Sequence, residues 1–136
     1  MTVASFDDVE FGEDLPAFAP DMGMENVRRF AKAAQMMAAR FTDHEGARKE
    51  GLPGAMVPGV MSQAILVAMI HRWAPAAELE KLDTVFRAPV LVDEPHEVNG
   101  VVTDLDEDAR AAEIDLTITN AAGETRVLGT ATVRLP

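Results

Sequence analysis

At 136 residues the chain fits one domain, of a size that buries roughly two-thirds of the surface its unfolded form exposes. Twelve Lys and Arg against 23 Asp and Glu give a net charge of −11, which repels phosphate backbones and anionic lipid surfaces and argues against nucleic-acid and membrane binding. No cysteine is available for a disulfide, a thiolate nucleophile or a thiolate metal site, the start lacks the basic and apolar regions of a signal peptide, and the longest apolar run is far short of a membrane span, so a soluble cytoplasmic protein is expected.

The first twenty residues alternate acidic and apolar types and end in Pro16-Ala17-Phe18-Ala19-Pro20, which predicts an extended arm or opening strand. From Met24 to about Arg40, Val27, Phe30, Ala31, Ala34, Met37, Ala38 and Phe41 recur every three or four residues, the spacing of one amphipathic helix with Arg28, Arg29 and Lys32 on its wet face. Met36 and Met37 are adjacent, so one of them points away from the main core. Asp43 is placed to cap a short helix through Ala47 by accepting from its first-turn amides. The Gly- and Pro-rich stretch Gly51 to Gly59 then breaks the chain before a helix from Gly59 to Trp73. That helix is apolar nearly all round, and burial is expected.

Beyond Ala74-Pro75 the period changes to that of strands, read over Leu82 to Val90, Glu97 to Leu105 and Ala111 to Thr119. The third places Ala112, Ile114, Leu116 and Ile118 on one face, and a final strand does the same with Val127, Gly129, Ala131, Val133 and Leu135. One buried helix followed by an antiparallel meander describes an α+β domain, a sheet wrapped around a helix. With six Phe, one Trp and no Tyr, the core falls to Leu, Val, Ala and eight Met, and Met suits irregular or ligand-lined space.

The segment Phe41 to Gly59 resembles the active-site segment of MaoC-like (R)-specific enoyl-CoA hydratases, whose motif reads roughly Asp-x-Asn-Pro-Ile-His-x-Asp, then Ala-Arg-x-x-Gly, then Pro-Ile-x-His-Gly at the start of a long helix. Asp43, Ala47-Arg48, Gly51 and Gly59 fit without a gap. Phe86-Arg87-Ala88-Pro89-Val90 and the closing strand Gly129 to Pro136 are similar to the family's second half. The resemblance implies a single hot-dog domain over residues 1–136. At the same spacing Met36 stands where the family has its catalytic Asp, Phe41 where it has its catalytic His, and Pro58 where a His precedes the helix glycine.

Hydration of an enoyl thioester needs an acid and a base, and hydrogen-bond donors where charge develops on the thioester oxygen. The donors are kept: the amides of Gly59 and Val60 open a helix. The acid and base are not, because Met36 and Phe41 exchange no protons. His44, three residues after Phe41, is the candidate replacement, and Arg87 is a candidate for the phosphate of a CoA ligand. His71 and His96 form no ligand cluster, no metal site is expected, Ser62 has no nucleophile-elbow glycines, and no phosphate-binding glycine loop is present.

What the resemblance implies is a subunit that supplies structure and acyl-binding surface, through Gly59, Val60, Met36, Phe41 and Arg87, to a heteromeric enoyl-CoA hydratase whose Asp and His lie on a second hot-dog chain. Two alternatives stay open: a homodimeric acyl-thioester-binding module without chemistry, and an active hydratase or thioesterase that uses His44 in altered geometry. A CoA thioester is the expected ligand, with no further cofactor.

Overall fold

The structure is a computed structural model and describes residues 2–136. The opening arm is tied down along its length: the Val3 amide donates to the Trp73 carbonyl at 2.7 Å and the Phe6 amide to the Pro136 carbonyl at 2.9 Å. A single 3-10 turn, Phe6–Asp8, precedes strand β1 (Asp14–Phe18), as the two prolines lead one to expect. Five strands form one antiparallel sheet in the order β1-β3-β4-β5-β2, with β2 Glu78–Phe86, β3 His96–Asp106, β4 Ala111–Asn120 and β5 Thr125–Arg134. The alternation in β4 and β5 holds: Ala112, Ile114, Leu116 and Ile118, and Val127, Gly129, Ala131 and Val133, are all buried. This buried face meets the long helix α4 (Gly59–Trp73). Glycine permits the approach, since a Cβ added at Gly129 would lie 2.9 Å from Leu66 Cδ1 on that helix. The architecture is the α+β sheet-and-helix arrangement that the period change along the chain predicts.

Three elements differ from the sequence reading. The helix expected from Met24 to Arg40 is two helices, α1 (Met24–Ala33) and α2 (Ala39–Thr42). Gln35 adopts φ 57° and the Met36 amide donates back to the Ala31 carbonyl at 2.8 Å, a left-handed helix stop of the kind glycine usually makes. The apolar period therefore runs past the true end, and Ala34, Met37 and Ala38, assigned to the packed face, are exposed. Of the two adjacent methionines Met37 is the one facing outward, and Met36 is half-buried.

Helix α4 is not buried all round. Met61, Ser62, Leu66, Met69, Ile70 and Trp73 are covered, but Val60 is 47% exposed and Ala64 and Ala68 also face out. One five-stranded sheet covers one side of the helix, and Val60, Ala64 and Ala68, spaced four apart, lie on a side that stays open among the described residues. Strand β2 starts and ends earlier than Leu82 to Val90. Its edge position leaves no residue in it fully buried, which erases the alternation. At its far end the amides of Arg87 and Ala88 both donate to the Arg126 carbonyl, at 2.9 and 3.3 Å, a bulge after which Pro89 has no amide to continue the ladder.

Candidate active site

The helix start that the sequence marks as functional is built as follows. The Met61 and Ser62 amides both donate to the Pro58 carbonyl, at 2.9 and 3.1 Å. Pro58 offers no side-chain acceptor, so no cap covers the amides of Gly59 and Val60, the first two of a fifteen-residue helix. Such amides carry the positive end of the helix dipole. Beside them lies a cavity of about 430 Å³, walled by Met56, Val57, Phe86, Pro89 and Val90. Helix α4 contributes Gly59 and the buried Ser62, and Arg87 stands at the same cavity. Phe86 is half exposed and its ring lies against the helix start; a Cβ on Gly59 would come within 3.2 Å of Phe86 Cζ. A side chain at this position would press on the aromatic wall beside the free amides, and glycine avoids that contact.

Of the residues singled out from sequence, the structure brings Gly59 and Arg87 to one cavity. Val60 follows Gly59 but turns its side chain outward. Met36 and Phe41 are half-buried and do not line this cavity: Met36 sits in the turn after α1, Phe41 in α2. The cavity wall has no Asp, Glu or His.

His44 opens α3 (His44–Lys49), where Asp43 accepts from the Gly46 amide at 2.8 Å as the expected cap. Both ring nitrogens of His44 are engaged. The Ala55 amide donates to Nδ1 at 3.0 Å, which leaves Nε2 as the protonated nitrogen of the neutral ring, donating to Asp93 Oδ2 at 2.8 Å. The other Asp93 oxygen accepts from the Met24 amide at 2.8 Å, so one carboxylate holds the starts of α1 and α3 together. The hydrogen bonds from His44 and then Met24 hold the Asp93 carboxyl below the usual aspartate range. His44 reads in this setting as a clamp.

His96 is 4% exposed at the start of β3, with Nδ1 2.9 Å from the Glu94 carbonyl. Burial pulls its pKa down. Among the described residues no group of three or more His, Cys, Asp and Glu is arranged to hold a metal ion, and no helix is long and apolar enough to cross a membrane. Asp93 and Ser62 carried no signal of their roles in the sequence. Asp93 lies 49 positions from its partner His44, and Ser62 is one polar residue in an apolar helix.

No protein-family model and no curated protein matches the chain. Solved structures do. An (R)-hydratase from A. caviae involved in PHA biosynthesis superposes with a TM-score of 0.89 at 21% identity, over 95% of this chain and 98% of that one. The fold is the hot-dog fold of the MaoC-like (R)-hydratases and dehydratases. The R-hydratase PhaJ1 from Pseudomonas aeruginosa agrees at a TM-score of 0.89 and 18% identity, over 97% of this chain and 85% of that one. The ChsH1-ChsH2 complex from Mycobacterium tuberculosis contains a chain that matches at a TM-score of 0.86 and 16% identity, over 94% and 99% of the two chains.

Proposed function

We propose that this chain is the non-catalytic, substrate-binding subunit of a heteromeric hydratase or dehydratase of the MaoC-like type, acting on an acyl-CoA thioester of lipid or steroid side-chain metabolism. The observation that carries the reading is the composition of the cavity at the start of α4. It pairs uncapped amides with apolar walls, which suits an acyl thioester and its carbonyl oxygen, and it holds no group able to act as acid or base. Two further features support it. Met36 and Phe41 replace the family's proton-transfer positions with apolar surface, and the ChsH1-ChsH2 neighbour is itself a complex of two differently named chains. The missing acid and base then come from a second hot-dog chain, and this one supplies oxyanion donors or cradles the acyl tail.

Native mass spectrometry of the tagged protein isolated from its own host tests the assembly. A stoichiometric complex with a second chain of similar size, active in hydrating enoyl-CoA thioesters, is the expected result. A homodimer that binds acyl-CoA unchanged would replace this reading with a binding module.

A further inference from the structure

The cavity at the start of α4 encloses one polar side chain. Of the residues that line it, only Ser62 and Arg87 carry polar side chains; Arg87 is exposed, whereas Ser62 is 1% exposed. A serine inside a helix ordinarily gives its hydroxyl to the carbonyl four residues back. Here that carbonyl belongs to Pro58 and already accepts the Met61 and Ser62 amides. Among the described residues no group of the chain bonds the Ser62 hydroxyl, yet the hydroxyl is not sealed in. The one side-chain polar atom that is both sealed and unpaired is Arg126 Nε, on β5. The opening left to Ser62 is the cavity that it lines.

A hydroxyl in an apolar wall favours one class of occupant. A plain hydrocarbon tail lying over it takes it out of reach of water and returns no hydrogen bond, which is costly for a buried polar group. An acyl chain that bears oxygen at the same depth restores the bond. Helix geometry sets that depth. Ser62 lies three residues past Gly59 on the same face, ~4.5 Å further along the axis, and its side chain leans back toward the helix start. With a thioester oxygen on the amides of Gly59 and Val60, the hydroxyl comes level with the acyl carbons next to the carbonyl and not with the distal tail. In hydration chemistry on acyl thioesters, the carbon of this stretch that carries oxygen is C3.

We propose that Ser62 is a specificity-determining residue whose hydroxyl pairs with the oxygen on C3 of a 3-hydroxyacyl thioester, so that the cavity takes this form in preference to an acyl chain without that oxygen. The assignment rests on the thioester reading above and names the substrate class within it. A chain with this preference holds the product of hydration, which is also the substrate of dehydration, and it does so without a group able to act as acid or base in the cavity wall.

Titration calorimetry on the purified full chain, in the assembly it forms, tests this with two unreactive CoA conjugates. These are the octanoyl and 3-hydroxyoctanoyl amides, in which nitrogen replaces the thioester sulfur and elimination of water is suppressed, the second taken as each enantiomer. The better-bound 3-hydroxyoctanoyl enantiomer is expected to bind at least about fivefold more tightly than the octanoyl conjugate. Ser62→Ala should erase that preference by weakening the 3-hydroxyoctanoyl conjugate, with the octanoyl conjugate bound as well as before or better. Alanine suits a helix interior, and a melting curve checks that the fold is kept. Should Ser62→Ala fail to fold, Ser62→Cys, close in size but only a weak donor, carries the same comparison. Equal binding of the two conjugates before substitution, or a preference that survives it, overturns the role of Ser62 and leaves the thioester reading standing. Failure of both conjugates to bind overturns both.

Discussion

His44 and Asp93 share a hydrogen bond and each accepts a backbone amide besides, and what this knot does decides whether His44 is a catalyst. The Ala55 amide that bonds to His44 is in a fully buried residue, so His44→Ala strands a donor as well as losing the Asp93 bond. A loss of about 1–3 kcal/mol in unfolding free energy is expected, measured by urea denaturation, with the turnover of any isolated complex unchanged. Turnover abolished in a variant of intact stability would instead make His44 the base.

The pH dependence separates two groups. His96 has a lowered pKa, so as pH falls the unfolded chain takes up this proton first, and its contribution is full above about pH 6.5 and declines below it. Asp93 also has a lowered pKa, but as a carboxylate it contributes above its unfolded value of about 3.9 and loses that contribution as pH falls through the folded value. Melting curves from pH 8 to 3 should show both limbs. His96→Gln should flatten the upper one. Asp93→Asn, which tolerates the native φ of 68°, should flatten only the lower one. Little of this was legible in the sequence. The Asp43 cap was, because it acts three residues away; the Asp93 contact joins positions 49 apart and leaves no local trace.

Among the elements, α1 shows what a period cannot reveal. Apolar spacing continues through Met37 and Phe41 while the chain has already turned at Gln35, a residue with no preference for positive φ. Gln35→Gly is therefore expected to stabilise the protein by up to about 1 kcal/mol by relieving that turn, seen as a higher urea midpoint at constant slope. If instead the midpoint falls, the left-handed stop at Gln35 is not what ends the helix. Strands β4 and β5 were legible because each has one face on the core and one outward, and α4 was legible because Pro58-Gly59 and Ala74-Pro75 bracket it. Strand β2 was not. With no residue fully buried, its pattern carries little of the core, and its end is dictated by the carbonyl of Arg126, far away in the chain.

At the scale of the whole molecule, the sheet has two edges and they differ. Strand β1 is short, bears prolines on either side of its end and is flanked by Arg72 stacked 4.5 Å over the Phe18 ring. Strand β2 is longer, and its outer side is unpaired beside exposed Val60, Val85 and Phe86. This edge is where a second hot-dog chain is expected to join. Val85→Lys, at a side chain 58% exposed, should leave the melting of the separated chain nearly unchanged and remove the second chain from the native mass spectrum. An assembly that survives the substitution would place the partner elsewhere.

The sheet order also sets a timetable for synthesis. Strands β3, β4 and β5 are joined by short turns and pair with their immediate neighbours in the chain, so they assemble as soon as they have been made. Asp14 and Leu15, by contrast, lie opposite Val101 and Gly100, which leave the ribosome only after α4 and β2. The first strand to emerge waits for most of the rest, with Leu15 bare until β3 arrives. During translation it is β1, the better protected edge of the finished sheet, that stays without a partner while α4 and β2 are made.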